Sequence, residues 1–392
     1  MKALIAGAGI AGLAAALSLH RRGWQVEIVE KAKSFRSGGY MIDFFGPGFD
    51  AAERLGLLPA LKRRSSDIDK VDWVGADGRI DAKLDYRLMQ TAAKGRLFPL
   101  LRGDVEEVLR EALPAEITVR FGTRVTAVEQ DETSVHATLS DGRVEDADLL
   151  VGADGIHSTV RQAVFGAERD FLRPLGYRTA AYFFEDAQVT RQLGGSFSML
   201  TQPGRLAGFY EATPGRLASF FVWTDDEVAA DRDPGATLRK EFGDLGWVVP
   251  AALDAVPQAH DVYEDVVAQV EMPRWSDGRV VLIGDAAYAV SLVAGQGASM
   301  ALAGGTLLGD LLTAGTPIAP ALRAMEQQLR PVVQEKQRSG RRTARWFVPA
   351  TQLHIVLRNL AFKAMNTRAL SGLLSQVFSL DGKGFAVGAG RG

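Results

Sequence analysis

Three short glycine-containing segments end runs of apolar residues, and each offers groups that bind phosphates or sugars. Residues 7–12 read Gly-Ala-Gly-Ile-Ala-Gly, residues 152–155 read Gly-Ala-Asp-Gly, and residues 284–287 read Gly-Asp-Ala-Ala. Glycine leaves backbone N–H groups open to a phosphate, and aspartate accepts hydrogen bonds from sugar hydroxyls. One such motif is weak evidence, but three strand-end sites in this order predict a site for a flavin dinucleotide.

The first segment fits a βαβ unit that binds the dinucleotide. Gly7 permits the tight turn, Gly9 has no side chain to block a pyrophosphate, and Gly12 lets the helix pack against the strand. Glu30 closes the next strand, near the offset of about 20 residues expected for an acid that holds ribose hydroxyls, and it would repel a 2′-phosphate. The predicted contacts also include the first helical residues and the residue after the acid, which are Ile10, Ala11 and Lys31.

The second segment lies where a strand meets a short helix. Asp154 and Gly155 stand at this junction, and Ser158 and Arg161 follow at helical spacing. We predict that Asp154 and Gly155 contact the dinucleotide. An aspartate that caps the helix N-terminus is the alternative interpretation of the same stretch.

The third segment also ends a strand, and a glycine-rich loop follows it. Asp285 after Gly284 is suited to accept hydrogen bonds from a polyol chain. A helix N-terminus next to the loop would stabilise the negative charge on the N1–C2=O edge of a reduced flavin. The residues assigned to this loop and the start of its helix are Gly295, Gln296, Gly297 and Ala298.

Composition excludes several other kinds of site. The 392 residues carry a net charge of −2 and no cysteine. Nucleic acid is therefore not an expected partner, and disulfides, thiolate metal sites and cysteine nucleophiles are excluded. The five histidines show no metal-ligand spacing, so no metal is predicted. No secretory signal or membrane span is predicted, which favours a cytoplasmic protein.

Together these residues resemble a known family, the single-component FAD-dependent aromatic hydroxylases, or group A flavoprotein monooxygenases. In that family the first motif binds the ADP half of FAD, the second is linked to FAD and NAD(P)H, and the third holds the ribityl chain. An arginine that heads an amphipathic helix also contacts FAD, and Arg102 matches it. Arg36, before Gly38 and Gly39, resembles a further FAD contact, with a solvated loop arginine as the alternative.

The resemblance implies a reaction as well as a cofactor. NAD(P)H would reduce noncovalent FAD, O2 would form a flavin C4a-hydroperoxide, and one oxygen would pass to an aromatic, polyketide or quinone-like small molecule. The flavin supplies this chemistry, so no catalytic side chain is assigned. Two alternatives remain: a flavin-dependent reductase or oxidase of an isoprenoid or polycyclic substrate without oxygen insertion, and a non-catalytic flavin-binding regulator.

The chain departs from the family pattern after the third motif. Tyr288 replaces a histidine, Leu292 replaces a proline, and Ser299 replaces an asparagine. Because Tyr288 and Leu292 fall between the ribityl aspartate and the glycine loop, we expect both to lie near the isoalloxazine.

The predicted fold is α/β, with a Rossmann-like FAD-binding domain, an antiparallel substrate sheet and a long C-terminal helix. We assign residues 1–69, 99–177 and 271–335 to the first domain, 70–98 and 178–270 to the second, and 336–392 to a C-terminal bridging helix and frayed tail. Five aromatic residues on predicted strands are candidate substrate contacts, although burial in a core is the favoured explanation for each. They are Tyr182, Phe184, Phe209, Phe221 and Trp223.

The C-terminal region is basic and amphipathic. No acidic residue occurs from Gln337 to Leu380. A helix that bridges the domains, as in tetracycline-inactivating members of the family, is the favoured interpretation, and a solvated basic face and peripheral membrane contact are the alternatives. Its apolar positions are Leu353, Val356, Leu357, Leu360 and Phe362. The protein is expected to be a monomer or dimer.

Overall fold

A computed structural model describes residues 1–35, 40–66, 68–225, 233–291 and 295–365. Its first half contains β1 (Lys2–Ala6), α1 (Ile10–His20), β2 (Gln25–Glu30), β3 (Met41–Phe45), α2 (Pro47–Arg54), α3 (Leu58–Arg63), β4 (Lys70–Val74), β5 (Ile80–Asp85), α4 (Tyr86–Ala92), β6 (Leu97–Leu101), α5 (Arg102–Glu111), β7 (Thr118–Phe121), β8 (Val125–Gln130), β9 (Val135–Leu139), β10 (Val144–Ala147), β11 (Leu149–Gly152) and α6 (Thr159–Val164).

The second half begins with a long strand and ends in helices. It contains β12 (Leu172–Phe184), α7 (Ala187–Leu193), β13 (Phe197–Gln202), β14 (Arg205–Thr213), β15 (Arg216–Thr224), α8 (Pro234–Phe242), α9 (Val249–Asp254), β16 (Tyr263–Val270), β17 (Ser276–Asp277), β18 (Val280–Leu282), α10 (Asp285–Tyr288), α11 (Gly297–Leu311), α12 (Ile318–Phe347) and α13 (Gln352–Met365).

A mostly parallel sheet brings the three glycine segments together. Within the described residues its strand order is β17-β18-β11-β1-β2-β7, and only the β17–β18 pair is antiparallel. Ala6, Gly152 and Leu282 are aligned at the ends of the adjacent strands β1, β11 and β18. All three segments therefore leave the sheet at one edge, where an open α/β sheet binds ligands.

Helices α1 and α11 pack against each other at unusually close range. The apolar side chains of α1 are almost wholly buried. A Cβ atom on Gly305 of α11 would lie 2.6 Å from the carbonyl oxygen of Ala11, so no larger residue fits there without a shift. The small residues of α11 are thus explained by helix packing, and their effect is to place its N-terminus beside the third segment.

The second large sheet has the order β16-β12-β15-β14-β13-β4-β5 among the described residues. β4 and β5 lie within residues 70–98, and β4 runs parallel to β13 whereas the other pairs are antiparallel. The α/β fold with a separate, mainly antiparallel sheet is confirmed. β12 starts at Leu172 and so crosses the predicted limit at residue 178; the domain limits stay a prediction.

The long C-terminal helix is also confirmed, although it begins earlier than the sequence indicated. α12 starts at Ile318 and places Leu322 and Leu329 in the core of the parallel sheet. Val348, which follows it, and Phe362 of α13 lie in a cluster with Trp73 of the second sheet. These contacts favour the bridging interpretation.

The exposed side of α13 differs from the predicted amphipathic face. Its buried side chains include Ile355, Arg358 and Phe362. The remaining predicted positions are 46–65% exposed, and these are Leu353, Val356, Leu357 and Leu360. Among the described residues, no helix is long and apolar enough to cross a membrane.

Candidate functional site

The glycines of the first turn have two different roles: some allow close packing, and one leaves open space. Gly7 has φ +107°, and a Cβ there would lie 2.3 Å from the carbonyl oxygen of Ala153. A Cβ on Gly12 would lie 1.9 Å from the carbonyl oxygen of Gly7. A Cβ on Gly9 meets only Glu106 Oε1, at 3.7 Å. Gly7 and Gly12 are therefore required by the protein itself, whereas Gly9 leaves room for a ligand.

The N-terminus of α1 borders the space beside Gly9, and its first backbone N–H groups are free to donate hydrogen bonds. Gly9 is the N-cap residue, and no side chain caps the helix there. The first N–H groups, near Ile10 and Ala11, therefore have no intrahelical acceptor, and the helix dipole places positive charge beside them. This is the environment that a pyrophosphate requires.

Glu30 binds the turn from the end of β2. Its Oε2 accepts a hydrogen bond from the Ala8 N–H at 2.8 Å, and its Oε1 accepts one from the Ala32 N–H at 2.8 Å. Each carboxylate oxygen retains a further acceptor position for a ribose hydroxyl. Lys31 is exposed beside it. Sequence reasoning assigned Glu30 to the ligand but missed its role in holding the turn.

Asp154 of the second segment binds the first turn of α6, whose N-cap residue is Ser158. Its Oδ2 accepts hydrogen bonds from the Thr159 N–H at 2.7 Å and the Val160 N–H at 3.1 Å, and its Oδ1 accepts one from the Ser158 hydroxyl at 2.5 Å. The structure therefore supports the capping interpretation. Gly155, with φ +85°, makes the turn into this cap.

Arg161 links the second segment to the third. It is fully buried, and its guanidinium donates to the carbonyl oxygens of Ala286 at 3.0 Å and Ile156 at 2.6 Å. It also pairs with Glu168 at 3.2 Å. Because Ala286 follows Asp285 directly, this arginine holds the turn that carries the predicted polyol ligand.

Asp285 lies in a cleft near an arginine. A Cβ on Gly284 would lie 2.7 Å from the Ala11 Cβ, so this turn packs directly on α1. The Asp285 side chain is exposed to the cleft, yet burial by the surrounding protein raises its carboxyl pKa, while Arg102 opposes that rise. Arg102 heads α5 as predicted and pairs with Glu106 at 2.8 Å.

The glycine loop leads into α11 with an unpaired polar atom. Gln296 is 4% exposed, and its Oε1 has no hydrogen-bond partner among the described residues. Gly297 begins the helix, and a Cβ there would be 3.8 Å from Asp285 Oδ1. Gly295 and Ala298 flank these two. An orphaned acceptor, a helix N-terminus and open space beside Asp285 together fit the polar edge of a flavin ring.

Three further residues were expected near the flavin, and none of them is placed there by the described structure. Tyr288 is 1% exposed, its ring packs on Trp275 with centroids 4.6 Å apart, and its hydroxyl lies 1.9 Å from a Cβ built on Gly304. The expectation that Tyr288 faces the isoalloxazine is wrong for its side chain, which fills the core under α11. Leu292 and Arg36 lie outside the described residues.

The five aromatic residues proposed as substrate contacts lie on one face of the second sheet, and this corrects the prediction. All are 6% exposed or less and pack against α8, α9 and the segment between them, including Phe242 and Val249. Their helix-covered cluster is a closed core, because the alternation of β12, β14 and β15 turns them to the same side. They are Tyr182, Phe184, Phe209, Phe221 and Trp223.

The opposite face of the same sheet meets the cleft. The Tyr40 ring lies 6.3 Å from the Phe220 ring and 6.4 Å from the Tyr263 ring. The Met41 N–H donates to the Tyr210 hydroxyl at 2.5 Å. Burial raises the pKa of Tyr40 to about 12, so its hydroxyl is neutral at physiological pH. Because side chains alternate along a strand, the sequence would have identified these residues if the orientation of one side chain in the sheet had been known.

A pair of buried carboxamides holds the segment between Tyr288 and the glycine loop. Gln269 Nε2 donates to the carbonyl oxygens of Val290 at 3.0 Å and Gln337 at 2.8 Å. Gln337 Nε2 donates to those of Val270 at 2.8 Å and Ala289 at 3.1 Å. β16, α12 and the flavin-side segment are therefore joined by four buried hydrogen bonds.

We expect Gln337→Glu to destabilise the protein by about 2–3 kcal/mol at pH 8, because two carbonyl oxygens lose donors and face a carboxylate. Burial and those carbonyls raise the folded-state pKa of the new carboxyl, so the loss of stability is greatest above that pKa. The part of the loss that comes from the charge disappears as pH falls below the unfolded value of about 4.3. A smaller loss remains there, because a protonated carboxyl donates one hydrogen bond where the carboxamide donates two. Thermal unfolding against pH measures it. Gln334→Glu, exposed on the same helix, is the control; equal pH profiles for the two variants would contradict the role of the carboxamides.

The fold and the site together define an FAD-binding oxidoreductase. The family model described as "FAD binding domain" matches residues 1–334, so the chain belongs to this family. No group of three or more metal-ligating side chains occurs among the described residues.

Relatives define the class more closely. The chain is 36% identical over 327 residues to the uncharacterized protein Rv1260 of Mycobacterium tuberculosis, covering 80% of this chain and 85% of that one. It is 28% identical to a flavin-dependent monooxygenase of Legionella longbeachae, covering 87% and 88%. The crystal structure of the tetracycline destructase Tet(55) has a TM-score of 0.80 at 26% identity, covering 96% of each chain. The protein is an FAD-dependent monooxygenase of the group A type.

Proposed function

We propose that this enzyme uses NAD(P)H and O2 to hydroxylate an aromatic, polyketide or quinone-like small molecule. The observation that supports it most is the meeting of three glycine-containing turns at one sheet edge, where Asp285 and Arg102 lie within electrostatic range of Tyr263 on the second sheet. The relatives named flavin-dependent monooxygenases support the reaction class. The polycyclic substrate of the tetracycline destructases favours a substrate of more than one ring.

The residues of the chain have distinct roles in holding FAD. The N–H groups at the start of α1 bind the pyrophosphate, and Glu30 accepts from the ribose. Asp285 accepts from the ribityl hydroxyls, and Arg102 adds positive charge beside them. The N-terminus of α11 stabilises negative charge at the pyrimidine edge of the ring. When bound, FAD accepts hydride and activates O2, and the protein orients the partners and excludes water.

NAD(P)H has no separate nucleotide-binding domain in this proposal. Among the described residues, one G-x-G-x-x-G turn opens a parallel βαβ unit, and this turn is assigned to FAD. The nicotinamide must therefore reach the flavin from the cleft. The carboxylate oxygens of Asp154 are occupied by the cap of α6, so Asp154 acts on NAD(P)H through the position of that turn.

The substrate occupies the space between the glycine loop and the cleft face of the second sheet. Tyr40, Phe220 and Tyr263 present rings there, and aromatic rings stack on polycyclic ligands. Tyr210 is fixed by its bond from Met41. These walls orient the ring of the substrate toward the flavin.

A substrate panel of phenols, quinones and polycyclic drugs tests the proposal. We expect one class to accelerate NAD(P)H oxidation and to yield a product heavier by one oxygen atom, with label from 18O2. NAD(P)H oxidation that yields a reduced product without label would instead identify a reductase. Stoichiometric hydrogen peroxide with every substrate would identify an oxidase, and no NAD(P)H oxidation with FAD bound would identify a regulator.

A further inference from the structure

Strand β3 presents one polar side chain to the interface between the two sheets. Ile42 and Phe44 point into the core of the parallel sheet. Met41 and Phe45 point the other way and pack with clusters of the second sheet. Asp43 lies between these two on the same side, because side chains alternate along a strand. A carboxylate therefore stands among mainly apolar side chains in the domain interface.

Asp43 has one described hydrogen-bond partner. The Tyr86 hydroxyl donates to Asp43 Oδ1 at 2.6 Å, and Tyr86 is 2% exposed at the start of α4. Within the described residues, no lysine, arginine or histidine forms an ion pair with Asp43. Its side chain is partly buried and keeps some accessible surface. Lys336 of α12 lies over the neighbouring Phe45 ring, at 5.7 Å from its centre, and belongs to the same region.

A carboxylate placed in this way is costly for folding. Burial raises the pKa of Asp43, and the hydrogen bond from Tyr86 is the one influence that opposes it. Groups of this kind are usually paired with a cation or neutralised, and an asparagine would keep the bond from Tyr86 without the charge. An ionisable group that is perturbed by burial beside a cleft is a functional candidate.

We propose that Asp43 recognises a protonated amine on the aromatic substrate, with Oδ2 accepting a hydrogen bond from the ammonium group. This inference rests on the proposed function of the cleft. A cation is the favoured occupant because it pairs directly with the carboxylate, whereas a neutral hydroxyl would leave Asp43 without an ion-pair partner. Tyr86 holds the carboxylate in place through its other oxygen. The assignment narrows the substrate class to ring systems that carry a basic nitrogen.

Binding to the oxidised, FAD-loaded enzyme tests the proposal without turnover. The probes are 1-naphthylmethylamine, 1-naphthalenemethanol and 1-methylnaphthalene, which share a ring system and differ in the group offered to Asp43. Affinities come from flavin absorbance changes and calorimetry. We expect the amine to bind wild type at least about tenfold more tightly than 1-methylnaphthalene, as for one charge-assisted hydrogen bond. Asp43→Asn should remove most of that difference and leave 1-methylnaphthalene unchanged.

Two further variants separate recognition from folding. Asp72→Asn changes another buried aspartate, on β4, and should leave all three affinities as in wild type. Tyr86→Phe should weaken amine binding less than Asp43→Asn, because the carboxyl then takes up a proton more readily. If the Asp43→Asn protein fails to retain FAD, Tyr86→Phe becomes the decisive variant.

Three results would overturn the proposal. The first is that wild type shows no preference for the amine. The second is that the preference persists in Asp43→Asn or, where Tyr86→Phe replaces that variant, is as strong in Tyr86→Phe as in wild type. The third is that the alcohol binds as tightly as the amine. Since no NAD(P)H is present, these results do not depend on monooxygenase activity. A labelled product in the substrate panel together with any of them would leave the proposed function intact and remove only the role of Asp43.

Discussion

Gly9→Asp should weaken FAD binding by about a thousandfold, or about 4 kcal/mol, without loss of the fold. Gly9 has φ −80°, which any residue adopts, and its surroundings leave space for a side chain. Aspartate is also a favoured N-cap residue, and the new cap offsets the repulsion from Glu106, whose Oε1 lies 3.7 Å from the Cβ position. The stability of the apoprotein should therefore stay within about 1 kcal/mol of wild type. The same carboxylate fills the place of the pyrophosphate and repels its charge. Titration of the apoprotein with FAD and thermal unfolding without FAD measure the two effects.

Two companion variants give this prediction its controls. Gly9→Asn keeps the cap and the volume but not the charge, so it should bind FAD more tightly than the aspartate variant does. Gly12→Val should instead destabilise the apoprotein by at least about 1–3 kcal/mol, because its Cβ would lie 1.9 Å from the Gly7 carbonyl oxygen. If Gly9→Asp bound FAD like wild type, the pyrophosphate would not lie at the start of α1.

The parts of the site that sequence predicted are those where the backbone itself limits the residue type. A turn that packs as closely as Gly7 on Ala153 admits only glycine, and this requirement is visible as a motif. Apolar runs before each motif predicted strands, and parallel strands end at one edge of a sheet. The convergence of Gly152 with Ala6 follows from those two facts. Arg102 was found because it matches the arginine that heads an amphipathic helix in the family that the sequence resembles, and it does head α5.

What sequence did not predict depends on contacts between distant segments. The aromatic residues of β14 and β15 alternate with others as apolar as themselves, so no pattern shows which face helices α8 and α9 will cover. Phe220 faces the cleft and Phe221 the core, although they are neighbours in the chain. Tyr288 was misplaced for a similar reason. Its pocket exists because Gly304, on another helix, has no side chain.

The role of Arg161 was also not predictable from the sequence, because it depends on contacts with a distant segment. Its spacing from Asp154 was visible in the sequence, but its acceptors were not, because the Ala286 carbonyl oxygen lies 125 positions away. A fully buried arginine held by backbone carbonyls has a structural role that composition does not reveal. It couples the cap of α6 to the turn of Asp285, and so connects two motifs that sequence reasoning treated as separate.

Arg161→Met should therefore lower both stability and FAD affinity. Removing the guanidinium leaves the carbonyl oxygens of Ile156 and Ala286 without donors, and among the described residues Glu168 keeps only His157 as an ion-pair partner. We expect a loss of about 3–5 kcal/mol in the free energy of unfolding. Because the Asp285 turn is then held less firmly, FAD affinity should fall about tenfold as well. Denaturant unfolding of the apoprotein and FAD titration measure the two losses.

The matched substitution Arg169→Met changes an exposed arginine of the next turn, and it should alter stability by less than about 0.5 kcal/mol. Arg161→Lys keeps the charge but reaches the three acceptors with a single nitrogen, so it should fall between wild type and the methionine variant. A methionine variant that lost stability but bound FAD like wild type would show that the arginine supports α6 alone. Asp285 would then be positioned by the packing of Gly284 on α1, without help from the second motif.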